Sequence, residues 1–265
     1  MPEETAPFPP LDAAHVRIAL ANTAFRDVRW QALTGSTNDD AAALLMHPDA
    51  QGATLVAEKQ TAGRGRKDGR AWIAPRGSGL TFTTIVPAAV DAADLWAVPF
   101  WTALCVADGI MHACGTRIDL RWPNDCFLGG RKVAGILCIS RVAGAVAHVG
   151  CGVGINVRRP DASAAAAIAP PPAFLSDRAP GVTREVVLAE ILSAFERRLG
   201  ALHTPSIVAH TYEERAQLAG APYHVRLDRD GTELEGTALG LGPVGTLRLN
   251  VAGTEHAVSL ADVRL

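Results

Sequence analysis

The chain has 265 residues, 48% of them hydrophobic and 20% charged, and its 25 basic and 27 acidic side chains leave a formal net charge of −2. Nearly half the residues can enter a core, which excludes a disordered or collagen-like chain. The near-neutral charge argues against gripping duplex nucleic acid through a broad basic face, and the length suits one large domain with, at most, a small appendage.

The N-terminal MPEETAPFPP is acidic and proline-rich, with neither a basic nor an apolar region of the kind a signal peptide needs. A short helix should follow, then a strand over Val28 to Leu33. Gly35-Ser36-Thr37-Asn38 opens a helix: Ser36 and Thr37 are good N-caps, and Asp39 and Asp40 suit the positive end of its dipole. The alanine and leucine run behind them ends at His47-Pro48. Thr54 to Glu58 reads as a strand, Lys59 to Gly79 as a long loop rich in glycine and arginine, and Leu80 to Val86 as a second strand. Ala92 to His112 is helical in composition, interrupted by Pro99 and closed by Gly115. The longest apolar run, Leu95 to Ala107, contains that proline and stops at Asp108, short of the ~20 residues a membrane span needs.

A β-rich stretch follows. Ile118 to Trp122 is extended, as the residue before Pro123 should be. Cys126 to Leu128 and Val133 to Ser140 flank Gly129-Gly130, a hairpin signal, and Val146 to Val157 is a further apolar strand. Residues 160 to 181, rich in alanine and proline, read as a mobile surface loop. Helical patterns over Arg184 to Leu199 and Ser206 to Ala219 precede short alternating strands from Ala221 onward, which predict a small β-barrel or meander. The expected architecture is therefore α/β: a mixed-sheet main domain over 1–219, its core starting near residue 28, and a β unit over 220–265.

Cys105, Cys114, Cys126, Cys138 and Cys151 are odd in number and form no C-x-x-C, which points to reduced core cysteines and a cytoplasmic setting. No H-E-x-x-H or Cys/His ligand spacing predicts a protein-held metal. Gly63-Arg64-Gly65-Arg66-Lys67-Asp68-Gly69-Arg70 sets four cations and three glycines between two strands. Glycines let backbone N–H groups approach an anion, and guanidinium forks hold carboxylate or phosphate oxygens. A solvated basic loop is the alternative. Arg131-Lys132-Val133 enters an apolar strand after Trp122-Pro123-Asn124-Asp125. A lysine there is partly desolvated unless it faces an anion, though an edge strand also uses lysine as a guard. Only three basic residues are lysines, Lys59, Lys67 and Lys132, and all lie near these two segments. Gly150, Gly152 and Gly154 share one face of a strand and clear room for a ligand or, as readily, for tight packing. Gly240-Leu241-Gly242-Pro243-Val244-Gly245 matches G-x-G-x-x-G in letters only, because strands flank it, and it reads as a turn.

Taken in order, Ser36-Thr37-Asn38, Gln60 to Arg66, Trp122 to Asp125, Arg131 to Leu137 and Gly152 to Asn156 resemble the motifs of the biotin protein ligases. The resemblance runs from about residue 30 to the C-terminus. It implies the biotin/lipoate ligase fold with an SH3-like C-terminal barrel, and a two-step reaction: biotin and Mg-ATP give biotinyl-5′-AMP, and a lysine of a biotin carboxyl carrier domain then takes the biotin. By resemblance Arg64, Arg66 and Lys132 offset the repulsion between carboxylate and phosphate, and Lys132 bridges the two groups. Ser36, Thr37, Asn38 and Gln60 bond the biotin head group. Gly63 and Gly65 belong to its loop, and Gly135, Gly152 and Gly154 line its slot. Asn124 faces the nucleotide, Asn156 the nucleotide or its metal, and Asp125 orients or deprotonates the carrier lysine. Mg²⁺ arrives with ATP.

The loop, expected to close over the adenylate, is one residue longer than the family's usual G-R-G-R-x-G-R-x-W, which leaves the roles of Arg70 and Trp72 open. The Ala/Pro stretch replaces a region that helps hold adenine in relatives. The 35 residues before Ser36 are too few for the helix-turn-helix that some relatives carry, so no operator binding is expected. The oligomeric state stays open. The rival readings are a lipoate or octanoate ligase or transferase, whose R-R-x-S-G-G-G-type loop is missing here, and a sensor of biotin or nucleotide that does no chemistry.

Overall fold

A computed structural model describes residues 8–66, 71–163, 168–227 and 230–259, and the backbone of 263–264. Lys67 and Arg70, noted in the sequence, lie outside the described residues. Among the described residues the main sheet has eight strands: β1 (Val28–Gln31), β2 (Thr54–Ala57), β3 (Gly79–Ile85), β4 (Val90–Asp91), β5 (Asp119–Arg121), β6 (Asp125–Leu128), β7 (Arg131–Ala143) and β8 (Val146–Asn156). Their order is β1-β2-β3-β8-β7-β6-β5, with β4 on the far end of β8. β1 and β2 are parallel, and the other neighbours are antiparallel. At the β6–β7 hairpin Gly129 and Gly130 both take positive φ, 57° and 75°, as a two-residue type I′ turn requires.

One face of this sheet is covered by α3 (Val98–Cys114) and α4 (Arg184–Arg198). The helical segment changes at Pro99, as the sequence suggested: a 3₁₀ helix over Ala92–Ala97 gives way to α3, and the proline sits in the first turn of α3, where a missing N–H costs nothing. A Cβ on Gly109 would lie 2.5 Å from the Cα of Ile191, so this glycine is what allows α3 and α4 to cross so closely. With the short helix before it, the segment Ala92–Cys114 is long and apolar enough by length and composition to cross a bilayer, but its most apolar stretch is 67% buried in the protein core. α1 (Ala13–Ala19) packs beside α4, and α5 (Pro205–Ala216) beside α3.

The opposite face carries a smaller cluster in which Ala41 and Leu45 of α2 (Thr37–Leu44) and its C-cap meet Leu55 and Ile85. Within the stretch read as a mobile surface loop, residues 172–175 are anchored, while most of the other described positions are exposed. Ala173, Phe174 and Leu175 are buried, Ala173 N–H donates to the Lys132 carbonyl at 2.9 Å, and Arg159 forks onto Asp177.

A second antiparallel sheet follows, of β9 (Pro222–Leu227), β10 (Glu233–Leu241), β11 (Leu247–Val251), β12 (Thr254–Val258) and β13 (Val263–Arg264), ordered β12-β11-β10-β9-β13. Its inward residues, among them Tyr223, Val225, Leu247 and Leu249, join the same continuous core as α3 and α4. Trp122 fastens the two sheets together. Its backbone N–H donates to the Tyr223 hydroxyl at 3.1 Å, and its indole N–H to the Gly245 carbonyl at 3.1 Å.

Candidate active site

Alternation along β8 sends Val149, Cys151, Val153 and Ile155 into the core and leaves Gly150, Gly152 and Gly154 on the other face. What lies against that bare face changes along the strand. A Cβ on Gly150 would press on Ile139 and Leu45, one on Gly152 would overlap Asn38 Oδ1, and one on Gly154 would overlap the Trp72 indole. Gly135, paired with Gly154 across to β7, continues the floor.

The N-terminus of α2 stands over this floor. Ser36 holds the N-cap position in an extended conformation, yet its side chain makes no capping bond, contrary to the sequence expectation. Thr37 donates from its N–H (2.8 Å) and its hydroxyl (3.1 Å) to Gln60 Oε1. Asn38 donates from Nδ2 to the Leu137 carbonyl at 3.0 Å. Beneath both, the fully buried Thr83 hydroxyl donates to Thr37 Oγ1 at 2.9 Å and to Asn38 Oδ1 at 2.7 Å.

The cations arrive from two directions. Arg64 forms an ion pair with Asp39 in the first turn of α2; both side chains are more than half exposed, so the tie is weak. Lys132 comes from β7 by way of a bulge. Strict alternation would set Lys132, three residues before Gly135, on the core face. The β6–β7 register shifts between Cys126 and Phe127, leaving one surplus residue on β7. Val133 and Ala134 are then buried in succession, and Lys132 returns to the glycine face. Its Nζ lies 2.6 Å from Asp125 Oδ1. Asn124 clamps β7 next to it, donating from Nδ2 to the Ile136 carbonyl at 2.7 Å and accepting the Ile136 N–H at 3.0 Å.

These groups border about 470 Å³ of space that is continuous with open solvent. Of the residues singled out in the sequence, Ser36, Thr37, Asn38, Gln60, Arg64, Gly65, Arg66, Asn124, Lys132, Gly135, Gly152 and Gly154 line it. Gly63, Asp125 and Asn156 do not. Gly63 packs against the Trp72 carbonyl and the Gln60 side chain, Asp125 reaches the site through Lys132, and Asn156 is buried at the end of β8 opposite Gly79. Trp72, left without a role by the sequence, also lines the cavity, with Lys132 Nζ 6.0 Å from its ring centroid and its indole N–H buried without a partner among the described residues. Thr81 of the lining and Thr83 beneath it were not foreseen. Among the described residues no group of three or more His, Cys, Asp or Glu side chains is placed to hold a metal ion.

The biotin/lipoate A/B protein ligase family model matches residues 31–156, the stretch that carries all of these motifs. The biotin–[acetyl-CoA-carboxylase] ligase of Paracoccus denitrificans is 35% identical over 243 residues, covering 88% of this chain and 98% of that protein. The chain belongs to the biotin–[acetyl-CoA-carboxylase] ligase family. The ligase of the same name from Mycobacterium tuberculosis is 31% identical over 96% of each chain. Among solved structures, the biotin protein ligase of Aquifex aeolicus in complex with biotin and ATP superposes with a TM-score of 0.71 at 21% identity, covering 91% of this chain and 98% of that one. At that identity the likeness speaks for the ligase fold alone.

Proposed function

We propose that the cavity forms biotinyl-5′-AMP from biotin and ATP and then passes biotin to a lysine of a biotin carboxyl carrier domain. The protein is an ATP-dependent biotin–protein ligase, with biotin and Mg-ATP as substrates. The observation that carries this reading is the convergence of Arg64, Arg66 and Lys132 on one glycine-floored cavity beside the buried end of α2.

In the first step a carboxylate oxygen of biotin attacks the α-phosphorus, and the bond to pyrophosphate breaks. Two anions about 4 Å apart repel by about 4 kcal/mol at an effective dielectric near 20. Fixed cations remove that cost without reorganising when the bond forms. Lys132 stands where a point charge can touch both groups, and Arg64 and Arg66 offer forks to the oxygens around it. At rest Asp125 neutralises Lys132 and Asp39 neutralises Arg64, so substrate anions must draw each cation off a carboxylate. Ser36, Thr37, Asn38 and Gln60 meet the ureido head group, and the missing side chains of Gly135, Gly152 and Gly154 make room for Lys132, Asn38 and the Trp72 indole around it. Gly63 and Gly65 shape the loop that carries the arginines, while Asn124 and, behind the cavity lining, Asn156 serve the nucleotide side.

In the second step the carrier amine attacks the carbonyl carbon of the mixed anhydride and AMP leaves. The amine must first lose a proton, and Asp125, freed when Lys132 turns to the phosphate, is the group beside it that can accept one. On the same reading residues 1–219 form the catalytic unit and 220–265 a second one. Five cysteines that are all free thiols support a cytoplasmic setting.

A single-turnover assay with biotin and α-labelled ATP, with and without a carrier domain, tests this. Biotin-dependent adenylate followed by carrier labelling is expected from the native protein, and Lys132→Met should cut adenylate formation by about 10²-fold or more with the fold intact. Adenylate without transfer favours a sensor, and lipoyl transfer favours the lipoate branch.

A further inference from the structure

We propose that Thr83 is a positioning residue that sets which atoms the head-group pocket offers to its ligand. This rests on the ligase reading above and deepens it.

The argument turns on which groups can only donate or only accept. The Thr37 backbone N–H can only donate, so the Gln60 atom 2.8 Å from it must be the carboxamide oxygen. The Leu137 carbonyl can only accept, so the Asn38 atom 3.0 Å from it must be the nitrogen. Asn38 Oδ1 therefore faces β3, where it accepts from the Thr83 hydroxyl at 2.7 Å, a proton that Thr83 shares with Thr37 Oγ1 at 2.9 Å. Thr37 in turn commits its own proton to Gln60 Oε1.

Two chains thus begin at one buried hydroxyl, Thr83 to Thr37 to Gln60 and Thr83 to Asn38 to Leu137. Their combined effect is a pocket of fixed polarity. Gln60 has its oxygen saturated and shows its NH₂, and Asn38 keeps one N–H to spare. Thr37 shows an oxygen lone pair and no proton. A ligand edge that carries one carbonyl oxygen flanked by N–H groups, as a cyclic urea does, finds donors for its oxygen and an acceptor for an N–H. Without the Thr83 hydroxyl, Thr37 and Asn38 lose the partner that holds both. Asn38 would then be seated only by the Leu137 carbonyl and the bare face of Gly152.

The experiment compares Thr83→Val, which keeps the shape and removes the hydroxyl, with Thr83→Ser, which keeps the hydroxyl. KM for biotin and for ATP are measured separately by pyrophosphate release. Thr83→Val is expected to raise the biotin KM at least tenfold while the ATP KM and kcat stay within threefold, and Thr83→Ser to stay within twofold of the native protein on all three. If Thr83→Val loses its folded near-ultraviolet spectrum, Thr83→Cys, of similar size and a weak donor, is read by the same ratio of biotin KM to ATP KM. A biotin KM within twofold of native, or an ATP KM that rises in step with it, overturns the assignment. Absence of biotin-dependent pyrophosphate release from the native protein would instead sink the ligase reading beneath it.

Discussion

Lys132 brings its ammonium group to the cavity because Val133 is a surplus residue on β7, and Asp125 then meets that group at 2.6 Å. The two side chains serve different steps, so they are separable by experiment. Asp125→Asn is expected to leave adenylate formation within a few fold of native and to slow carrier labelling by about 10²-fold, in the range of general-base losses. Quenched-flow measurement of both products checks this, and equal slowing of the two steps would reduce Asp125 to a mere holder of Lys132. Most of the motif residues come together around the cavity as their order suggested, while Gly63, Asp125 and Asn156 fall outside its lining. The bulge was not legible in the sequence, because a two-versus-one mismatch depends on the partner strand. Thr83 was equally silent: Thr-Phe-Thr-Thr reads as ordinary strand composition, and nothing local marks which hydroxyl faces α2.

At the scale of elements, β8 was the best-read strand, its three glycines falling on one face as their spacing required. Their tolerance to substitution should be unequal. Gly152→Ala sets a methyl group into Asn38 Oδ1 and the Leu137 carbonyl, so it should cost about 1–3 kcal/mol and raise the biotin KM at least tenfold. At Gly115, which closes α3 at φ 61° with open space around its Cβ, alanine costs only about 1 kcal/mol and should leave both KM values alone. Urea midpoints alongside kinetics distinguish the two, and a harmless Gly152→Ala would contradict the packing described. Residues 173–175 were misread because composition reports only that an alanine- and proline-rich run is unusual, while burial against a distant element decides whether part of it fills a core.

Across the whole molecule, Arg184 and Glu58 form an ion pair that is almost completely buried, with N and O 2.7 Å apart. Glu58 also accepts from the Leu11 N–H and the Trp30 indole, and Arg184 donates to the Pro9 carbonyl, so one pair ties the N-terminal segment, the end of β2 and α4 together. Arg184→Met strands a buried carboxylate and should cost about 3–5 kcal/mol in a chemical denaturation. Alkaline pH should weaken the same fold. Burial pushes the thiol of Cys114 up to about 11 and that of Cys126 up to about 12, from an ordinary value of 9.0. Unfolded thiols ionise from about pH 9 upward while the folded ones stay neutral, so stability is full below that pH and is lost through the interval up to about 12. Melting temperatures across pH 7 to 11 should be flat at first and then fall; a flat profile throughout would deny the burial. The overall architecture was readable because hydrophobic period and turn residues are local. The seam between the sheets was not, because it hangs on Trp122 meeting Tyr223 and Gly245 more than a hundred positions away.

The bare backbone beneath the cavity has a practical corollary for anyone re-engineering the enzyme. Beneath Asn38 and the Trp72 indole there is no further side chain to trim, and peptide groups locked in a β-ladder cannot swing aside to admit a bulkier vitamin analogue. Altered substrate range must therefore be sought in the roof, at the entrance to α2 or around Trp72.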